Sequence, residues 1–171
     1  MDKLALKNIF TRMVAHKEEQ PPRQPQLTKD AAVLIVDDSR TIVRALELML
    51  ERDGYLTYSA ADGVQAIALT KRQRPDLVLM DVVMPNMNGF EATRALINDP
   101  ETAAIPVIMM SGTERVSDRI WGTRLGAKGF LAKPINREEL LGKVHSVIAV
   151  ARRAQEREQA EAIAAAGTLP R

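Results

Sequence analysis

The stretch L-V-L-M-D-V-V-M-P-N-M-N-G, residues 77–89, decides the fold of this chain. Leu77 to Met80 form an apolar run of strand length, and Asp81 is its first charged residue. A short apolar run that stops abruptly reads as a strand covered on both faces, as in a parallel sheet with helices above and below. Asp81 then stands at the carboxyl end of that strand, where open α/β sheets hold their ligands. Pro85, Asn86, Asn88 and Gly89 mark the loop beyond it, and Phe90 opens a helical segment through Ile97.

The same pattern repeats on either side. V-L-I-V (33–36) reads as a first strand, followed by Asp37-Asp38 and by Ser39, a good helix N-cap. Ile42, Val43, Leu46, Met49 and Leu50 keep helical spacing up to an Asp53-Gly54 stop. Tyr55 to Ser59 predicts a second strand and Val64 to Arg72 a second helix. Beyond the central stretch, Ile105 to Met110 predicts strand four, ending at Ser111-Gly112, and Arg115 to Leu125 helix four, closed by Gly126. Gly129 to Ala132 is strand five before Lys133-Pro134, and Asn136 caps a last helix through Leu140, Leu141, Val144, Val147 and Ile148. Strict β-α alternation implies a doubly wound, flavodoxin-like parallel sheet of order 2-1-3-4-5 with right-handed crossovers. Strands one and three are then neighbours at the switch point, so Asp37, Asp38 and Asp81 converge. No G-x-G-x-x-G follows strand one, which argues against a dinucleotide site.

Composition narrows the class. With 171 residues, 46% of them hydrophobic, the chain has room for one ordinary domain and an appendage. Its 24 basic and 22 acidic residues leave a net charge of +2, so no nucleic-acid footprint is indicated. Absence of cysteine removes disulfides, thiolate metal sites and Cys nucleophiles, and fits a reducing cytoplasm. No apolar run approaches the roughly 18 residues of a transmembrane segment, and M-D-K-L-A-L-K lacks the apolar region of a signal peptide.

Outside the alternating region the character changes. Leu6, Ile9, Phe10, Met13 and Val14 fall on one stripe of an amphipathic helix over residues 1–19, with Lys3, Lys7, Arg12 and Lys17 off it. The stripe suits docking to a partner, a second copy or a membrane surface, or packing on its own domain. Residues 20–30 contain Q-P-P-R-Q-P-Q and read as an extended Pro-rich linker. The domain itself spans residues 31–150. Residues 151–171 form a polar tail whose helix formers carry the last helix on to about Ala165. A tail of about 20 polar residues cannot bury a second core, so no output domain is expected there.

The strand ends carry the chemistry. Three carboxylates from Asp37, Asp38 and Asp81 within a few ångströms raise each other's pKa unless a cation resolves the repulsion. Mg²⁺ suits such an oxygen set and keeps part of its shell as water. Ser111 adds a hydroxyl donor and Lys133 a fixed positive charge. Together they provide what a phosphoryl group on Asp81 needs: a carboxylate nucleophile with metal and lysine to stabilise the charge in flight.

With V-L-I-V-D-D-S, L-V-L-M-D-V-V-M-P-N-M-N-G, V-I-M-M-S-G and F-L-A-K-P in place, residues 31–150 resemble the receiver domain of bacterial two-component response regulators, the CheY-like fold. The resemblance implies that Asp81 is the phosphoacceptor, receiving its phosphoryl group from a histidine kinase. It implies Mg²⁺ held by Asp38 directly, by Asp37 mainly through water, by Asp81 and by the backbone carbonyl of Val83. Ser111 would swing toward the phosphoryl group, Lys133 would pair with its oxygens, and Phe130 would be the aromatic that follows Ser111 inward. The Lys133-Pro134 bond would be cis, Gly89 matches the loop glycine, and Gly112 the small residue after the switch hydroxyl.

Output would pass to a downstream protein through helix four, strand five and helix five, with Trp121, Arg124, Lys128, Lys143 and His145 on that face. Val83 and Thr113 occupy the positions at which the family tunes hydrolysis. Within the family, M-D-V-V-M-P-N-M-N-G-F-E-A-T-R (80–94) and R-I-W-G-T-R-L-G-A-K (119–128) are similar to pilus-associated regulators of twitching motility. Such a protein is not an enzyme beyond its own phosphorylation and dephosphorylation. A scaffold signalling through residues 1–19 whatever the state of Asp81 is the alternative. A true aspartate-nucleophile phosphatase needs a second carboxylate two residues past Asp81, and Val83 is not one.

Overall fold

The computed structural model describes residues 31–112 and 116–166. The predicted helix over residues 1–19, the linker 20–30, Thr113 and the last five residues lie outside them. Five parallel strands, β1 (Ala32–Val36), β2 (Leu56–Ala60), β3 (Leu77–Asp81), β4 (Val107–Ser111) and β5 (Gly129–Ala132), form one sheet in the order β2-β1-β3-β4-β5. The helices are α1 (Arg40–Glu51), α2 (Gly63–Gln73), α3 (Gly89–Asn98), α4 (Val116–Arg124) and α5 (Arg137–Ala166).

Strand periodicity divides the core. Val33, Ile35, Leu77, Leu79, Ile108, Met110 and Leu131 face one way, packed beneath Leu46 and Leu50 of α1 and Leu140, Val144 and Ile148 of α5. Their neighbours Leu34, Val36, Val78, Met80 and Val107 face the other way, under Ala66 of α2 and Ala92 and Leu96 of α3. Alternation between two buried faces is why β3 and β4 read as unbroken apolar runs.

The caps at Ser39 and Asn136 sit where the sequence places them. Ser39 Oγ accepts from Ile42 N, and Asn136 Oδ1 accepts from Glu139 N at 2.8 Å. Asn88 and Glu91 close a reciprocal capping box at the start of α3. Several boundaries differ from expectation by a residue or two, and two of them have a plain physical cause. The second strand begins at Leu56, because Tyr55 N donates to Leu50 O and ends the turn after α1 instead of joining the ladder. The fourth begins at Val107: Pro106 has no N–H for a ladder, and Ile105 N closes a turn onto Thr102 O. Helix α5 has 30 residues, about 45 Å of helix against about 17 Å for a five-residue strand. It therefore runs well beyond the sheet.

Candidate functional site

The site forms at the carboxyl ends of β1, β3, β4 and β5. Asp37 follows β1 directly and is buried, anchored by its own N–H to Ala60 O at 3.1 Å. Its Oδ1 accepts from Ser39 N at 2.9 Å, which couples it to the cap of α1. Asp81 is the last residue of β3 and is also buried, whereas Asp38 is exposed at the mouth. Ser111 ends β4, buried, with its backbone carbonyl accepting from Lys133 N at 2.8 Å. That bond carries the β5 ladder past Ala132 and aims Lys133 across the sheet. Lys133 Nζ lies 2.6 Å from Asp37 Oδ2 and 2.7 Å from Asp81 Oδ1. The Lys133-Pro134 bond is cis.

The electrostatics are those of a half-enclosed cluster. Burial pushes the Asp81 carboxyl above the usual aspartate range; Lys133 pulls it back, and the Asp37 charge adds to the rise. For Lys133 burial works against the charge, but the two carboxylates outweigh it and hold the ammonium above its ordinary pKa. Lys133 thus faces two buried anions, with a third at the mouth.

Ligand atoms of Asp37, Asp38 and Asp81 all lie within 4.8 Å of one another. In an octahedron with Mg–O bonds of about 2.1 Å, ligand oxygens stand about 3–4 Å apart. The hard oxygen donors and their spacing therefore fit Mg²⁺ with a small adjustment. An open cleft of about 400 Å³, lined by Asp37, Asp38, Arg40 and Gln65 among others, borders the cluster on the side of its first two carboxylates. Val83 is 73% exposed two residues beyond Asp81. Phe130, half-buried, pairs with Met109 across β4 and β5.

Sequence reasoning missed one supporting contact. Asp62 caps α2 through Gln65 N at 2.9 Å and with its other oxygen accepts from Asn86 Nδ2 at 2.9 Å. Asn86 holds a positive φ of 63°, and Gly63 N donates to Met87 O nearby. The loop after Asp81 is thereby tied to α2. The only signal was A-D-G at 61–63, which reads as an ordinary turn.

The expected output face is altered at one position. Trp121 is 57% exposed with the Arg124 guanidinium 6.0 Å from its ring centroid, and Lys128 is exposed. Lys143 pairs with Glu139 at 3.5 Å. His145 is instead turned toward the α1–β2 turn, with Nε2 3.0 Å from Asp53 Oδ2 and its ring 5.7 Å from that of Tyr55. It follows the buried Val144 on α5, so its side chain meets the neighbouring turn.

Fold and site define a class, and the comparisons with known proteins agree. The family model of the response regulator receiver domain matches residues 33–145, and the chain belongs to that family. It is 46% identical over 119 residues to Protein PilH of Pseudomonas aeruginosa, covering 70% of this chain and 98% of that protein. This is the type of relative to which residues 80–94 and 119–128 point. Response regulator PleD of Caulobacter vibrioides is 42% identical over 117 residues, 68% of this chain and 26% of PleD.

Among solved structures, the Vibrio cholerae chemotaxis protein CheY4 superposes with a TM-score of 0.65 at 36% identity, over 68% of this chain and 98% of that one. The receiver domain of the Pseudomonas aeruginosa sensor histidine kinase PA1611, with a magnesium ion coordinated in its active site cleft, gives a TM-score of 0.66 at 32% identity. That match covers 70% of this chain and 98% of the other. Among the described residues, no helix is long and apolar enough to cross a membrane.

Proposed function

We propose that residues 31–150 act as a phosphorylation switch: Asp81 accepts a phosphoryl group from a histidine kinase, Mg²⁺-dependently, and the change is read by a downstream protein. The observation that carries this reading is the single pocket shared by Asp37, Asp38, Asp81 and Lys133, with Ser111 ending the adjacent strand. An Asp81 carboxylate oxygen attacks phosphorus, the P–N bond to the donor imidazole breaks, and the imidazole keeps the electron pair. An acyl phosphate remains on Asp81. Lys133, already on Asp81 Oδ1, is within reach of the new phosphoryl oxygens. Asp37, Asp38, Asp81 and the backbone carbonyl of Val83 would hold Mg²⁺, which supplies neutralisation of the phosphoryl charge.

Ser111 turning toward the phosphoryl group, with Phe130 moving inward, would bias a two-state element made of α4, β5 and the first turns of α5. Its output is a protein contact, in a chemosensory or type IV pilus pathway of the cytoplasm. No nucleic-acid contact is part of this reading. The complete acidic–lysine site speaks against a scaffold indifferent to Asp81. The test is site mapping. After incubation with acetyl phosphate and Mg²⁺, borohydride reduces an acyl phosphate to homoserine, which should appear in the peptide containing Asp81. Reduction at another carboxylate would overturn the assignment.

A further inference from the structure

Opposite the site of Asp81, at the amino ends of the strands, the part of α5 beyond the sheet carries an apolar surface that no other described residue covers. A groove of about 460 Å³ runs between α5 and the turn leading into β4. Ala104 and Pro106 form one wall, and Val147, Val150, Ala151 and Ala154 the other. Val150 is 64% exposed, on a helix whose other large apolar residues up to Ile148 are mostly covered.

We infer that residues 1–19 of the same chain dock in this groove by the stripe of Leu6, Ile9, Phe10, Met13 and Val14. The chain leaves the described fold beside the groove. Ala32 N donates to Asp76 Oδ2 at 2.8 Å, and Asp76 N donates back to Ala32 O at 2.8 Å. The other oxygen of Asp76 accepts from Arg152 Nη2 of α5 at 2.9 Å. The start of β1 is therefore one carboxylate away from the α5 turn that carries Ala151 and Ala154.

Residues 20–30 reach at most about 40 Å when extended, so the stripe has ample chain to come back to α5. A tether of that length raises the local concentration of the segment to the millimolar range, which favours it over an untethered occupant. Dimensions agree as well: as a helix, Leu6 to Val14 covers about 12 Å, and Val147 to Ala154 about 11 Å of α5. At the far rim Glu158 stands available to the cations that flank the stripe, Lys3, Lys7, Arg12 and Lys17. Docking at this end leaves the mouth beside Asp38 open, so the inference is independent of the function proposed above.

Because the chain has no cysteine, Arg153→Cys gives a unique spin-label site on exposed backbone next to the groove. In the full chain carrying this label, the methyl signals of Leu6, Ile9, Met13 and Val14 are expected to be lost and to return when the label is reduced. The loss should persist on dilution and disappear when Val150→Glu is added. Methyl signals untouched by the label would overturn the inference. So would signals lost only when label and isotope are on different copies, which would make the occupant a second molecule. Insensitivity to Val150→Glu, with α5 still helical, would overturn it too.

Discussion

The Cβ that Gly89 lacks would collide with the carbonyl oxygen of Asp81. The start of α3 is pressed onto the end of β3, with Gly89 N donating to Val82 O at 3.0 Å. The obstructing atom is backbone of the functional strand and cannot rotate away. Gly89→Ala is expected to cost about 3 kcal/mol, in the upper range for single substitutions, seen as a fall in the urea midpoint. Among the described residues nothing lies within 4 Å of a Cβ on Gly112, so Gly112→Ala should stay within about 0.5 kcal/mol of the parent. Equal effects of the two substitutions would contradict this geometry.

Lys133 is the counter-ion of two buried carboxylates. Lys133→Met leaves both facing each other, and since the pocket opens to solvent the cost should be about 2 kcal/mol, below the 3–5 of a fully buried pair. A cation that binds only the folded state offsets part of that loss. Mg²⁺ should therefore raise the melting temperature of Lys133→Met more than that of the parent. A smaller rise in the variant would argue against a cation among these three aspartates.

Asp62 gives the pH dependence. The backbone N–H of Gln65, then the Asn86 amide, hold its carboxyl below the usual range. The fold thus favours the ionised form, whose stabilisation is complete above the unfolded pKa and is lost as pH falls through the folded one. The gap in urea midpoint between the parent and Asp62→Ala should be constant from neutrality down and narrow below about pH 4. A gap that widens in acid would reverse the sign.

The three central strands were legible because each is a short apolar run stopped by a polar residue: Val36 before Asp37, Met80 before Asp81, Met110 before Ser111. That same punctuation placed the acidic residues and Lys133 at one edge. What escaped were contacts without periodicity. Nothing in A-D-G announces that Asp62 will hold Asn86, and helical spacing alone does not turn His145 toward Asp53. Tyr55 has strong strand propensity, but its N–H closes the turn after α1. The first two are tertiary decisions between segments distant in the chain, and the third is a local turn that overrides strand propensity.

Val83 bears on the lifetime of the phosphorylated state. Its side chain is apolar and points to solvent beside Asp81, with no group to orient an attacking water. Phosphate release from the purified phosphoprotein should take minutes or longer, and Val83→Asn should shorten it. A half-life of seconds in the parent would contradict this reading.

The most direct test of the switch is the intact mass of the protein after incubation with acetyl phosphate, with and without Mg²⁺, beside Asp81→Asn. A single phosphate adduct that requires Mg²⁺ and is missing from the variant is the expected result. An adduct that survives Asp81→Asn, or none on the folded parent with either acetyl phosphate or a phosphorylated histidine kinase as donor, would contradict it.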